Sequence, residues 1–265
     1  MNFPRVTMCN ANEGISAARQ DMTGIEEPRN EEELMAISQR LEDFTLHSQF
    51  NDKVYEGRTE LKNIWSPIIT SLGLCFSFAN NEDVFVPGIS GGLTVYTWLD
   101  KETYPKTTKW AGVRVFVTPN NDQGKIMISH QTSSALLIPP GAVFYVSATL
   151  QTFQWKEDEP WTTCIPTSTS IDQCRMECIL SAKREKCKCR IMGDPSSILD
   201  YCNSTDAKCI LSSIGDEDLT VCHPCSVPPC KEQAYSTWYS AGRISQNTAE
   251  FAKSLKNNEE KTTTL

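Results

Sequence analysis

At 265 residues the chain has length for one large domain or two modest ones, and its 39% hydrophobic and 22% charged residues form a globular composition rather than a disordered one. A formal charge of −8 would repel phosphate backbones and argues against nucleic acid as a partner. No apolar run reaches the ~18 residues that span a bilayer: Ser66 to Phe78 is too short, and Ala135 to Leu150 is broken by Pro139, Pro140 and Gly141. The opening MNFPRVTMCN lacks an apolar core behind a basic region, so it does not read as a signal peptide.

FPRVTMC (3–9) has the β-branched, apolar character of a short strand. Asn30 followed by Glu31, Glu32 and Glu33 marks a helix start, because carboxylates favour the positive end of the helix dipole. Leu34, Ile37, Leu41 and Phe44 then recur at helical spacing and predict an amphipathic helix over roughly 31–47. From residue 72 the pattern changes to strands: LGLCFSF, GLTVYTWL, AGVRVFV, KIMISHQ and AVFYVSATLQTF, separated by the turn signals PGISGG, PNNDQG and PPG. In AGVRVFV, Val113, Val115 and Val117 share one face, with Arg114 and Phe116 on the other. Five such runs without βαβ alternation predict an antiparallel sheet or barrel. Ser170 with Gln173 reads as a capping box for a helix carrying Cys174 and Cys178. Asn247, with Glu250 three residues on, reads as the cap of a last helix whose stripe is Ala252 and Leu255, before a frayed tail EEKTTTL.

The twelve cysteines are unevenly placed. Cys9 and Cys75 stand apart; Cys164, Cys174, Cys178, Cys187, Cys189, Cys202, Cys209, Cys222, Cys225 and Cys230 crowd the second half. Zinc is one reading, and Cys222-His-Pro-Cys225 has knuckle spacing, but ten cysteines do not divide into four-ligand sites and only His47, His130 and His223 could supplement them. Redox catalysis is another, but Ser226-Val227-Pro228-Pro229 does not continue as the helix that would lower the thiol pKa. Disulfides remain. Cys174 and Cys178 lie one turn apart on one helix face. A segment running antiparallel beside that helix would meet them in reverse order, joining Cys174 to Cys225 and Cys178 to Cys222. Continuing outward gives Cys164 with Cys230; continuing inward gives Cys187 with Cys209 and Cys189 with Cys202. Each rung closes a loop worth roughly 3–4 kcal/mol, a shared effect that does not sum. Such staples form in an oxidising compartment.

FPRVTMCN (3–10), GLCFSF (73–78), Gly92-Leu93, AGVRVFV (111–117), PPGAVFYV (139–146), EPWTTC (159–164) and the series CRxxC, CxCR, YC and PC resemble, in order, the extracellular region of the degenerin/epithelial sodium channel family, acid-sensing members included. The resemblance implies an α+β fold: an antiparallel β palm and β-ball with a finger helix over 1–163, and a disulfide-stapled helical thumb over 164–230. A return segment with a knuckle helix would fill 231–265. It also implies a Cys9–Cys75 bridge, a contact of Trp161 with the wrist, and trimers of family subunits around a sodium-conducting, amiloride-sensitive pore at the plasma membrane. The expected role is gating transduction, without catalytic group, metal or cofactor. The chain would start just after the first membrane helix and end before the last palm strands and the second membrane helix. A secreted cysteine-rich binding protein is the alternative. An extracellular ligand, peptide or proton, is expected.

Departures qualify the resemblance. Cys222 and Cys225 are one residue further apart than the family's CxC, Thr162 replaces a turn glycine, and the finger lacks an extra cysteine pair. Acid-sensing members place aspartates soon after the position of Cys209; here Ile210 to Ser213 follow, and Asp216, Glu217 and Asp218 come later, as a solvated loop or a carboxylate cluster. Asn203-Ser204-Thr205 is the one glycosylation sequon.

Overall fold

The computed structural model describes residues 3–11, 31–70, 72–78, 88–99, 104, 111–119, 135–155, 164, 171–191, 194, 199–202, 206, 209, 222, 225, 227 and 229–262. In chain order the elements are β1 (Arg5–Asn10), α1 (Glu31–Ile37), α2 (Leu41–Phe44), β2 (Thr45–Phe50), β3 (Lys53–Glu56), α3 (Gly57–Ile64), β4 (Trp65–Thr70) and β5 (Gly73–Phe78). They continue with β6 (Leu93–Thr97), β7 (Val113–Thr118), β8 (Leu136–Ile138), β9 (Ala142–Gln154), α4 (Ile171–Cys187), β10 (Lys231–Arg243) and α5 (Gln246–Thr262). Three sheets result, in the orders β4-β5-β1-β7-β8, β3-β2-β6 and β10-β9. Every ladder between named strands is antiparallel. The fold is therefore mixed α+β.

The five-stranded sheet is apolar on both faces. Met8, Val113 and Val115 point into the main core with Phe44, Phe50, Trp65, Leu74, Phe76 and Phe78. The opposite face buries Cys9, Leu72, Cys75 and Phe116. Period-two alternation in β7 thus serves two cores: Phe116 is as buried as Val113 and Val115, while Val117 is half-buried. The main core is also where two sheets meet: Phe50 of β2 lies edge-on to Phe78 of β5 at 5.1 Å, and Phe3 touches Phe50 at 4.9 Å. The buried Trp65 ring packs on Phe78 at 5.5 Å, and its indole N–H donates to Ser48 Oγ at 2.9 Å, satisfying a donor that burial would otherwise penalise.

The predicted helix over 31–47 is broken. Leu34, Leu41 and Phe44 are buried as the spacing requires, but Ser38 ends α1 by donating its hydroxyl to the Leu34 carbonyl at 2.6 Å. Arg40 is extended, with φ −78° and ψ 158°, and α2 is a single turn. Thr45, Leu46 and His47 belong to β2: Thr45 pairs with Thr97 of β6, His47 pairs with both Glu56 of β3 and Tyr96 of β6, Leu46 sits at the bulge between them, and all three are buried. Asn51 and Asp52, at φ 48° and 62°, form the two-residue turn of the β2–β3 hairpin.

The last helix also starts differently. Ser245 Oγ accepts the Thr248 N–H at 3.2 Å, so Ser245, not Asn247, is the cap. The helix runs on to Thr262, into the segment expected to fray. Ala252 and Leu255 are half-buried. Phe251 makes ring contacts with Tyr96 at 5.9 Å and His47 at 6.4 Å, docking α5 on the three-stranded sheet. KIMISHQ and the Ser170 cap lie outside the described residues.

Gly112 shows why the AG pair opens β7. Its φ is +148°, and a Cβ there would stand 2.3 Å from the Ile138 carbonyl oxygen, which is backbone and cannot swing away. Gly112→Ala is expected to lower stability by about 3 kcal/mol, read as the urea midpoint. Gly242→Ala, where nothing lies within 4 Å, is the control and should stay within about 0.5 kcal/mol.

Candidate functional site

β9 and β10 pair along their full length, from Ala142 opposite Arg243 to Gln154 opposite Lys231. At ~3.4 Å per residue the two strands, each of 13 residues, make a ribbon about 40 Å long. One end is closed by the Ile244 N–H bonding to the Gly141 carbonyl at 3.0 Å. At the other, the Trp155 N–H bonds to the Cys230 carbonyl at 2.9 Å. Between Trp155 and Cys230 the chain leaves the ribbon and returns. Cys164 bridges Cys230 at this point, so a covalent link closes the base of the excursion, here called the arm.

All twelve cysteines are in disulfides. The arm holds five: Cys164–Cys230, Cys174–Cys225, Cys178–Cys222, Cys187–Cys209 and Cys189–Cys202, each enclosed by the one before. Cys9 and Cys75, directly opposite one another on β1 and β5, form the sixth, inside the second core. Because α4 presents Cys174 and Cys178 one turn apart, two bridges fix both the position and the rotation of the helix against the returning segment.

The last turn of α4 solves a local problem. Cys187 and Cys189 are two residues apart yet reach different partners. Lys188 between them adopts φ +57°, and its N–H bonds to the Arg184 carbonyl at 2.9 Å, which turns the chain as a helix C-terminal residue does. Past this turn Arg190 and Tyr201 form an isolated parallel bridge. The Arg190 N–H bonds to the Asp200 carbonyl at 3.0 Å and the Cys202 N–H to the Arg190 carbonyl at 2.9 Å. The Cys189–Cys202 disulfide holds these two strand fragments together.

Charges gather on this frame. The Arg190 guanidinium lies 4.2 Å from the centre of the Tyr201 ring, a cation–π contact. Its Nη1 donates to Glu31 Oε1 at 3.3 Å, across 159 residues of sequence. Arg184 of α4 donates to Asp194, whose carboxylate is wholly buried, at 2.5 Å. Burial pushes the Tyr201 phenol upward, against the lowering pull of Arg190, so the ring stays neutral beneath the cation. A second polar network ties β1 to the helices: the Tyr104 hydroxyl donates to Asn10 Oδ1 at 2.6 Å, and Asn10 Nδ2 donates to Gln39 Oε1 at 2.6 Å. Burial raises the Tyr104 pKa as well and keeps that donor protonated.

Neither network was singled out in the residue patterns. The signals were nonetheless present as neighbours of paired cysteines: Asn10 follows Cys9, Arg190 follows Cys189, and Tyr201 precedes Cys202. Trp161, Asn203, Asp216, Glu217 and Asp218 lie outside the described residues. Among the described residues no group of three or more His, Cys, Asp or Glu side chains is placed to hold a metal ion, and no helix is long and apolar enough to cross a membrane. A family model described as "Amiloride-sensitive sodium channel" matches residues 16–265, from before α1 to the last residue of the chain.

Lys188 supplies a local test. A β-carbon in the left-handed region costs ~1 kcal/mol that glycine does not incur. Lys188→Gly is therefore expected to raise the thermal midpoint by a few degrees in non-reducing buffer; an unchanged or lower midpoint contradicts the geometry assigned to this turn.

Proposed function

The chain belongs to the amiloride-sensitive sodium channel family, and from that premise we propose that it is the extracellular part of a sodium-channel subunit, a scaffold that carries a stimulus received outside the cell toward the pore. The observation that carries this reading, beside the family match, is the paired ribbon ending at a disulfide-closed arm. Both strands of the ribbon enter the arm at a disulfide-closed base, and the rungs above leave the arm few internal ways to yield. A displacement at its far end would reach the base as movement of a body rather than as local unfolding.

In this proposal residues 164–230 are the thumb, 1–163 the palm and β-ball with the finger helix, and 231–265 the return strand and knuckle helix. Three subunits surround the pore. Trp161 sits at the wrist, where the thumb meets the membrane-spanning part. Asn203, inside the thumb, carries a glycan. The stimulus is an extracellular peptide or the proton, and Asp216, Glu217 and Asp218 form the acidic patch on which a cationic ligand would first be drawn. The surface so exposed belongs outside the cell at the plasma membrane.

Expression of the full-length transcript in oocytes, with surface delivery checked by biotinylation, tests this reading. It is expected to give an inward sodium current that amiloride blocks. Replacing Cys174 and Cys225 together by serine should reduce the stimulated current at equal surface density, because α4 then loses one of the two bridges that fix its rotation. A surface-delivered protein that passes no amiloride-sensitive current at rest, under acid or with peptide overturns the proposal.

A further inference from the structure

We propose that Arg190 is a latch: its guanidinium, framed by the Cys189–Cys202 disulfide and the Tyr201 ring, holds the arm against α1 through Glu31, so that arm and β body move together while the latch is closed. The geometry is specific. The side chain of Arg190 is 6% exposed while that of Glu31 is 54% exposed, so a buried cation reaches out to a carboxylate at the surface. The cation is pinned from within by three features of the arm: the two backbone hydrogen bonds of the Arg190–Tyr201 bridge, the disulfide beside it, and the ring stacked beneath it. The flat guanidinium can stack and donate at once, which a lysine ammonium does not reproduce. Glu31 stands at the first residue of α1, whose Leu34 is buried and which contacts β5 of the five-stranded sheet.

The latch differs in kind from the rungs. Disulfides are permanent on the time scale of a conformational change, whereas a half-exposed ion pair is weak and opens readily. A rigid arm that must still move needs its reversible contact to the body outside the ladder, and Glu31–Arg190 meets that requirement. The buried Asp194, whose charge acts on the Tyr201 phenol, pairs with the partly exposed Arg184 and so ties the same corner of the arm back to α4. Opening the latch would therefore free the corner as a unit with α4.

Hydrogen exchange on the oxidised chain tests this without any current. Glu31→Gln is expected to quicken exchange of the Arg190 and Cys202 amides about two- to fivefold, the range of a partly screened ion pair. Glu32→Gln is the control: Glu32 carries the same charge in the same helical turn and has no partner among the described residues. It should affect α1 alone, through the helix dipole. Arg190→Lys, which keeps the charge and loses the flat stack, should loosen both sides; if it fails to fold, the glutamate comparison still decides. Equal exchange in the arm for Glu31→Gln and Glu32→Gln overturns the latch. The consequence for gating rests on the channel reading: faster exchange with an unaltered current would count against that reading and leave the latch standing.

Discussion

Two cysteines one helical turn apart, each bonded to a segment running the other way, constrain this molecule more than any other feature. A single bridge would let α4 swing and roll; two at this spacing remove both freedoms. Once the helix is fixed, the order of the remaining rungs follows from the path of the chain, since the strand that leaves the ribbon must return beside it. The arm needs this. Residues 164–230 contain no phenylalanine or tryptophan, and cross-links that limit the unfolded ensemble supplement what apolar burial the segment has.

The β body works by the opposite means. Its five-stranded sheet buries phenylalanines, valines and one disulfide on two faces, and the close approach at Gly112 and the Trp65–Ser48 bond fix how the edges and sheets meet. The ribbon joins the two regimes. It is long and antiparallel, and it exposes Tyr145, Trp238 and Tyr239, so its integrity owes more to ladder bonds and to the disulfide at its end than to burial. In a two-stranded ribbon such bonds are marginal by themselves. The covalent base at Cys164–Cys230 closes the end of this slender connection where the arm begins.

Much of this was legible in the residues, for physical reasons that differ by element. The runs around Cys75, Val95, Val115 and Val146 announced strands because β-branched and aromatic residues sit between clear turn signals. The spacing of Cys174 and Cys178 announced a helix face and, through it, a pairing order. The helix over 31–47 misled because its stripe is real: Leu34, Leu41 and Phe44 are all buried, but from two separate helices, and only Leu41 and Phe44 join the main core. The period does not record that Ser38 turns its hydroxyl back on the Leu34 carbonyl between them. β10 escaped notice because KEQAYSTWYSAGR lacks alternation and depends on β9 for its shape. Arg190, Tyr201 and Asn10 could be seen as neighbours of cysteines, but their mutual contacts arise only when segments distant in sequence meet.

The account rests on the nested sulfur bridges, and the most direct measurement is mass mapping of proteolytic peptides from unreduced, alkylated protein. Fragments joined as Cys174 with Cys225, Cys178 with Cys222 and Cys164 with Cys230, with no alkylated cysteine among the twelve, are the predicted result. Crossed pairing of Cys174 with Cys222 and Cys178 with Cys225, or free thiols in the arm, would contradict it.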